Sequence, residues 1–511
     1  MNYLYVARAK DLPESQPQKA EAGESEVVLI RTGETVRAFQ SKCPHAGAPL
    51  EKGAVCEGHL VCPWHKAVFD ISNGAWREPL ALASLRQYPV RVEEGKVYVS
   101  PKAMSPALRA QIRGEEAQTF VILGTGAAGS AAAITLRDEG FNGKLILIDR
   151  EREAPYDRTA LSKFVPAGKM KISEVPHPLD ENFWQQPGVE VIREEVESLD
   201  PALRELRLES GETLTFDKLL LATGGAPQRP ELPGNRLKGV HLLRSIEQAD
   251  ALLKEVDREQ QLVIIGNSFI ALELAAALRN QDIDVTVIAR HALPFAKQFG
   301  EEAARGFREL HEQNGVRFVT GEPQALEGDE HVHSVTLKDG RKIAAQVVVF
   351  ATGIKPVTGF THTLIQEEDG SLRTNNQLEA AANIWAAGDI ASYPAPEGLR
   401  RVEHWRVAQQ QGRVAALNML GKQEVFDRAP FFWTTHYGTR YEYLGHAESW
   451  DNYKFIGSFA EKKFIALYGE AGLLKAVLSC GYYTGTAALL LRMQQPITVE
   501  EAQEIILSAQ G

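Results

Sequence analysis

Cysteine is scarce in this chain. There are four in 511 residues: Cys43, Cys56, Cys62 and Cys480. So few, so unevenly spread, exclude a disulfide scaffold. Residues 118–479 hold none, which removes the cysteine pair that a disulfide reductase would need. Net positive charge is missing as well. Sixty-seven acidic residues against 56 basic ones leave a formal charge of −11, which speaks against nucleic acid or an anionic membrane as the main partner. No apolar run reaches spanning length, so no membrane span is expected. No basic stretch followed by an apolar one opens the chain, and a cytoplasmic, reducing setting is the expectation. Low-complexity segments and short-period repeats are also lacking. A chain this long is expected to form roughly two to four domains.

What is present is concentrated first in two short loops. Cys43-Pro44-His45 is followed, after sixteen intervening residues, by Cys62-Pro63-Trp64-His65. Two thiolates and two imidazoles are the ligand set of a Rieske [2Fe–2S] cluster, in which histidines replace two cysteines on one iron. Each loop would then offer a sulfur to one iron and a ring nitrogen to the other. A zinc site uses the same side chains, but zinc fingers generally keep cysteines in one pair and histidines in another, and here each pair is mixed. Zinc, or four unligated residues, remain the alternatives. Cys43, His45, Cys62 and His65 are the candidate metal ligands; Cys56 reads as a small packed hydrophobe.

The texture changes along the chain. Residues 1–103 read as short strands with turn signals, such as Glu26 to Ile30, Val36 to Gln40 and Gly95 to Val99, so a small antiparallel β-domain is expected there. Residues 104–117 read as a linker. From Thr119 strands alternate with helices, which implies parallel sheets. Gly124-Thr125-Gly126-Ala127-Ala128-Gly129 follows the apolar strand Phe120 to Leu123 and opens a small-residue helix to Asp138; a second strand, Lys144 to Ile148, ends at Asp149. This is the complete setting of a dinucleotide fingerprint. The glycines permit a tight turn and close approach of a pyrophosphate to the helix N-terminus, and Asp149 is placed for ribose hydroxyls. A second unit repeats it at Leu262 to Ile265, Gly266, Ser268, Ala271 and strand Val285 to Ile288, with Ser268 and Ala271 in place of two glycines. Its ribose acid is replaced by Ala289, and Arg290 follows. A guanidinium without the acid suits a 2′-phosphate, although a solvated loop cation explains Arg290 equally well, so the nucleotide is written NAD(P)H. Paired strand-to-turn segments end at Thr223-Gly224 and Thr352-Gly353, and Gly388-Asp389 places a carboxylate after another strand. After Pro430 come strands, Lys463 to Tyr468 and Leu473 to Leu478, then a helical tail, Ile497 to Ser508.

The segment Cys43 to Leu50, Gly53, Cys62 to His65, Phe69-Asp70 and Gly74 resembles Rieske-type ferredoxins. Where the high-potential Rieske proteins carry an additional cysteine in each loop, this chain has Ala48 and Trp64, so the resemblance is to the disulfide-free, lower-potential type. Lys66 departs from the glycine usual after the second histidine. The dinucleotide motifs, with Pro155 to Lys163, Arg401-Val402-Glu403-His404-Trp405 and Pro430 to Trp433, resemble the flavoprotein ferredoxin reductases and apoptosis-inducing-factor-like proteins, in particular the branch bearing a Rieske module. That resemblance implies a multidomain protein: a Rieske β-domain, an FAD domain in two pieces (118–240 and 358–428), an NAD(P) domain (241–357) and a C-terminal α+β domain (429–511). It implies FAD held by Gly124, Gly126, Gly129 and Asp149, with Arg158 and Lys163 against the flavin. Thr223, Gly224, Gly353, Gly388, Asp389, Glu403 and His404 are further cofactor residues, with Gly266, Ser268 and Arg290 on the NAD(P) side. Lys163, a Glu273 partner for it, and Trp405 are expected at the reacting edge. The implied activity is electron transfer from NAD(P)H through FAD to the cluster and on to a ferredoxin, an oxygenase component or a cytochrome. A slowly turning-over redox sensor is the competing reading, and a homodimer is compatible with either.

Overall fold

The computed structural model describes residues 2–104 and 118–509; the expected linker lies, apart from Met104, outside the described residues. The N-terminal unit is three antiparallel sheets. Leu4–Arg8, Lys96–Val99 and Val90–Glu93 form one; Gln18–Ala22, Ser25–Thr32, Thr35–Gln40 and Gln87–Tyr88 a second; Ala54–Cys56, His59–Val61, Val68–Asp70 and Trp76–Glu78 a third. The two cysteine–histidine loops close over a small core that contains Cys43, Leu50, Cys62, Phe69 and Trp76.

Two parallel sheets follow. The first is ordered Val189–Arg193, Lys144–Asp149, Thr119–Leu123, Lys218–Leu221, Ile384–Ala386, with Glu379–Ala381 antiparallel at its edge. It draws strands from both sides of the second unit. The second is ordered Val240–Leu242, Val347–Phe350, Gln261–Ile265, Asp284–Ala289, Arg317–Thr320. Strands buried on both faces explain their unbroken apolar runs. The first fingerprint helix, Ala127–Asp138, packs closely on Trp405–Met419. A Cβ on Gly412 would sit 2.0 Å from the Ala128 carbonyl oxygen, so only glycine permits that approach.

The last unit is a five-stranded antiparallel sheet, Phe431–His436, Thr439–Gly445, Leu473–Cys480, Lys463–Glu470, Asn452–Ser458, with helices Tyr483–Arg492 and Val499–Ser508. The tail helix starts two residues later than the sequence reading, because Thr498 caps it through a reciprocal capping box with Glu501. The Rieske-like unit does not hang free. Ala54, Val61 and Val68 share one apolar core with Phe431, Leu444, Ile465 and Leu489. Cys56 packs against that same core.

Candidate functional site

The two N-terminal loops have the same backbone design. In each, the cysteine N–H donates five residues ahead, Cys43 to Ala48 (2.9 Å) and Cys62 to Ala67 (2.8 Å). In each, the cysteine carbonyl accepts from four ahead, from Gly47 (2.9 Å) and Lys66 (3.2 Å). The matched positions Gly47 and Lys66 have φ of +72° and +59°. Lys66 therefore keeps the turn despite lacking glycine's freedom. An L-residue there costs about 1–2 kcal/mol. The ammonium that offsets this is wholly buried and pairs with Glu442 at 3.0 Å. It also donates to the carbonyls of Pro63 (2.8 Å) and Tyr483 (3.1 Å).

The folded loops sort the four candidate ligands like with like. His45 Nδ1 and His65 Nδ1 face each other at 3.0 Å. The Cys43 thiol donates to the Cys62 sulfur, which brings Cys62 down to about 7 and pushes Cys43 up. Burial lowers both histidines, leaving the neutral rings that metal ligation needs. Cys43 with Cys62 and His45 with His65 thus make a sulfur pair and a nitrogen pair, the division of ligands that a Rieske two-iron centre uses.

The histidine edge points at a large cavity. His45 and Leu80 line it from the N-terminal unit. Gly124, Gly126, Asp149, Arg158, Lys163, Thr223, Gly224, Glu273, Gly388, Asp389, Glu403, His404 and Trp405 line it from the remainder. Gly129 sits underneath: a Cβ there would lie 1.9 Å from the Gly124 carbonyl oxygen. Nothing lies within 4 Å of where a Cβ on Gly126 would be, so that glycine leaves room for a ligand. Asp149 accepts from the Thr125 N–H at 2.8 Å, which fixes the carboxylate at the fingerprint turn. Two buried polar atoms on the wall, His404 Nδ1 and Arg406 Nη1, lack partners. Enclosure holds His404 down to about 4. A glycine cradle, a ribose acid and unpaired polar atoms on the wall suit a dinucleotide such as FAD.

Lys163 and Glu273 meet at 3.0 Å, both nearly buried. Trp433 links this pair to the loops. Its ring centroid lies 4.8 Å from that of His65, and the Lys163 ammonium stands 5.1 Å from it. Gly266, Ser268, Gly353 and Arg290 do not line this cavity. They belong to the second parallel unit, where Ser268 caps Phe269–Arg279 and Phe269 and Ile270 of that helix reach the cavity wall. Arg290 is exposed and faces Glu322 at 3.4 Å.

Sequence reasoning missed several partners. Arg244 pairs with Asp389 at 2.7 Å, and Ser162 and Thr434 both donate to Glu273, at 2.6 and 2.7 Å. Arg244 follows a short strand with no local mark. Trp433 and Thr434 sit in a segment whose aromatic pattern was legible but whose neighbours were not.

A buried network fastens the N-terminal unit to the cavity wall. Arg406 donates to the carbonyls of Lys66 and Pro79, each at 3.0 Å. Glu78 meets Arg428 at 2.6 Å and Arg406 at 3.4 Å. Trp76 Nε1 donates to Asp138 at 3.0 Å.

Comparison with known proteins agrees with this geometry. The pattern of the pyridine nucleotide-disulphide oxidoreductases matches residues 118–412, and that of the Rieske [2Fe-2S] domain matches residues 2–89. Apoptosis-inducing factor 3 of Homo sapiens is 33% identical over 499 residues, covering 93% of this chain and 81% of that protein. The ferredoxin–NAD(+) reductase component of the biphenyl dioxygenase system of Paraburkholderia xenovorans is 33% identical over 334 residues, 65% of this chain and 81% of that one. The crystal structure of a ferredoxin reductase from Rhodopseudomonas palustris superposes with a TM-score of 0.71 at 26% identity, covering 77% of this chain and all of that one.

Proposed function

The chain belongs to the pyridine nucleotide-disulphide oxidoreductase family and carries a Rieske [2Fe-2S] domain ahead of it; on that premise we propose that it takes electrons from NAD(P)H through FAD to its own Rieske cluster and passes them singly to an outside acceptor. It is an FAD-dependent NAD(P)H oxidoreductase by family. FAD accepts an electron pair as hydride and can release it one electron at a time, which the cluster requires.

The chain's own residues supply binding, orientation and charge. Gly124, Gly126, Gly129 and Asp149 hold the ADP half of FAD. Asp389, kept in place by Arg244, would hold the ribityl chain, with Thr223, Gly224 and Gly388 letting backbone approach it. Arg158 would hold the flavin, and His404, Trp405 and Glu403 would shape the nicotinamide side. Gly266, Ser268 and Gly353 receive the NAD(P) pyrophosphate, with Arg290 toward a 2′-phosphate. Lys163, held by Glu273, presents a positive charge where negative charge arrives on reduction. Cys43, Cys62, His45 and His65 hold the cluster. The acceptor class is a ferredoxin, an oxygenase component or a cytochrome.

One observation carries the route within a single chain: His45 lines the same cavity as Gly126 and Lys163, while His65 packs on Trp433. Anaerobic titration with NADPH, following flavin absorbance and cluster EPR together, tests it. The expected result is flavin bleaching followed by a reduced-cluster signal, at a rate independent of protein concentration. A rate proportional to concentration refutes the intrachain route. A long-lived reduced complex with a silent cluster supports instead the sensor reading that likeness to apoptosis-inducing factor 3 motivates.

A further inference from the structure

Glu273 does not stop at Lys163. Its second oxygen accepts from Thr434 Oγ1 at 2.7 Å. Thr434 Oγ1 meets His436 Nε2 at 3.0 Å, His436 Nδ1 meets His311 Nε2 at 3.1 Å, and His311 Nδ1 meets the Tyr437 hydroxyl at 3.1 Å. Thr434, His436 and His311 are 0–1% exposed. Tyr437 is half-buried at a hairpin tip beside exposed Gly438, the two having φ of +49° and +78°. The chain of hydrogen bonds thus runs without a gap from the cavity wall to the edge of the protein. It crosses from the last sheet to the Ala296–Gln313 helix and back.

The acceptor at the inner end sets the direction of the bonds. A carboxylate paired with Lys163 only accepts, so Thr434 donates to Glu273 and must accept from His436 Nε2–H. Burial keeps both imidazoles neutral, His311 well below its ordinary value and His436 at about 3. A neutral ring has one N–H, so His436 Nδ1 accepts from His311 Nε2–H, and His311 Nδ1 accepts from Tyr437. The other groups facing the chain are Ser162 and Lys163 at Glu273, the Leu272 backbone oxygen, a second acceptor beside the His436 ring, the Tyr441 ring 5.9 Å from that of His436, and Arg279 near Tyr437.

Resting on the function proposed above, we infer that Tyr437, His311, His436 and Thr434 form a proton-conducting chain that delivers one proton from solvent to Glu273 when negative charge arrives in the cavity, and returns it when that charge leaves. The resting polarity, with all donors pointing inward, is the one that permits a single inward passage. That passage reverses each bond and sets the chain for the return. The bookkeeping closes. NAD(P)H yields NAD(P)+, two electrons and one proton. The compensating proton enters and leaves within the cycle, and the hydride's proton is the net release. Glu273 is the group that gains and loses the compensating proton; the other four residues position and relay it.

Two measurements test this on the full-length, FAD-loaded protein. In the resting state, nitrogen NMR of labelled histidines is expected to show His311 and His436 neutral and protonated on Nε2; an Nδ1–H tautomer at His436 overturns the chain. This holds whether or not NAD(P)H is the reductant, so it separates failure of the chain from failure of the proposed function. In weakly buffered stopped flow with a pH indicator, reduction by NADPH is expected to draw protons from solvent. That uptake is expected to slow by about 100-fold in Tyr437→Phe and Thr434→Val and to vanish in Glu273→Gln. Uptake at the wild-type rate in Tyr437→Phe and Thr434→Val together refutes the inference.

Discussion

Replacing Lys66 separates backbone strain from buried charge. Lys66 and Glu442 are both fully buried and 3.0 Å apart. Removing one member of such a pair costs about 3–5 kcal/mol, because the other charge stays buried. Glu442 keeps Arg440 at 3.2 Å and Thr486 at 2.6 Å, so the low end applies, about 3 kcal/mol for Lys66→Ala. Lys66→Gly loses the same ammonium but relieves the positive φ of +59°, worth about 1 kcal/mol, leaving a deficit of about 2 kcal/mol. Exchanging both charges for apolar groups, as in Lys66→Met with Glu442→Leu, is expected within about 1 kcal/mol of wild type. The assay is urea unfolding followed by the visible circular dichroism of the cluster, with midpoints compared at constant slope. If the alanine variant is as stable as the glycine variant, the turn is not strained. If both match wild type, the pair contributes nothing to seating the N-terminal unit.

Four further outcomes are expected. Cys43→Ser or His65→Ala removes the cluster EPR signal while FAD binding and its reduction by NAD(P)H persist; loss of flavin as well contradicts the modular reading. Gly126→Ala, whose methyl enters open space, weakens FAD binding about tenfold or more without lowering the melting temperature of the apoprotein, as displacement of a ligand by one methylene-sized group predicts. Arg290→Ala raises KM for NADPH about tenfold and leaves KM for NADH unchanged, the scale of one charge-assisted hydrogen bond; a strong native preference for NADH refutes the 2′-phosphate role. His436 ionises at about 3 when folded against 6.5 when free, so the unfolded chain binds more protons between those values and stability falls as pH drops through that window. His436→Phe is expected to flatten that part of the stability curve in acid denaturation.

Much of this was legible in the chain because local chemistry forces local pattern. Cysteine and histidine two or three residues apart announce a metal loop, and a glycine run between strand and helix announces a pyrophosphate. His45 and His65 meet in the fold, as do Cys43 and Cys62, and Gly124, Gly126 and Asp149 line one cavity. What stayed hidden depends on distant partners. Thr434 meets Glu273 across 161 positions, and His436 meets His311 across 125. No periodicity encodes such pairs. At Lys66 the departure from glycine is readable, while the Glu442 that holds its ammonium is not. The helix Tyr483–Arg492 escaped notice for a related reason. Its Gly485 disfavours helix, yet a Cβ there would lie 2.4 Å from the Ile506 carbonyl oxygen, so contact with the tail helix requires glycine. The cap at Thr498, with Glu501 three residues on, is by contrast a local pattern that the sequence displays.

The seat formed by Arg406, Glu78 and Arg428 bears on how the molecule responds to its surroundings. Redox proteins that meet by diffusion depend on long-range attraction, which salt weakens and dilution starves. A module fastened by the buried Arg406 guanidinium meets its neighbour at a fixed, high local abundance. On the proposed route its first handover should therefore be indifferent to ionic strength, and only the onward delivery, across the outer face, should feel the composition of the medium.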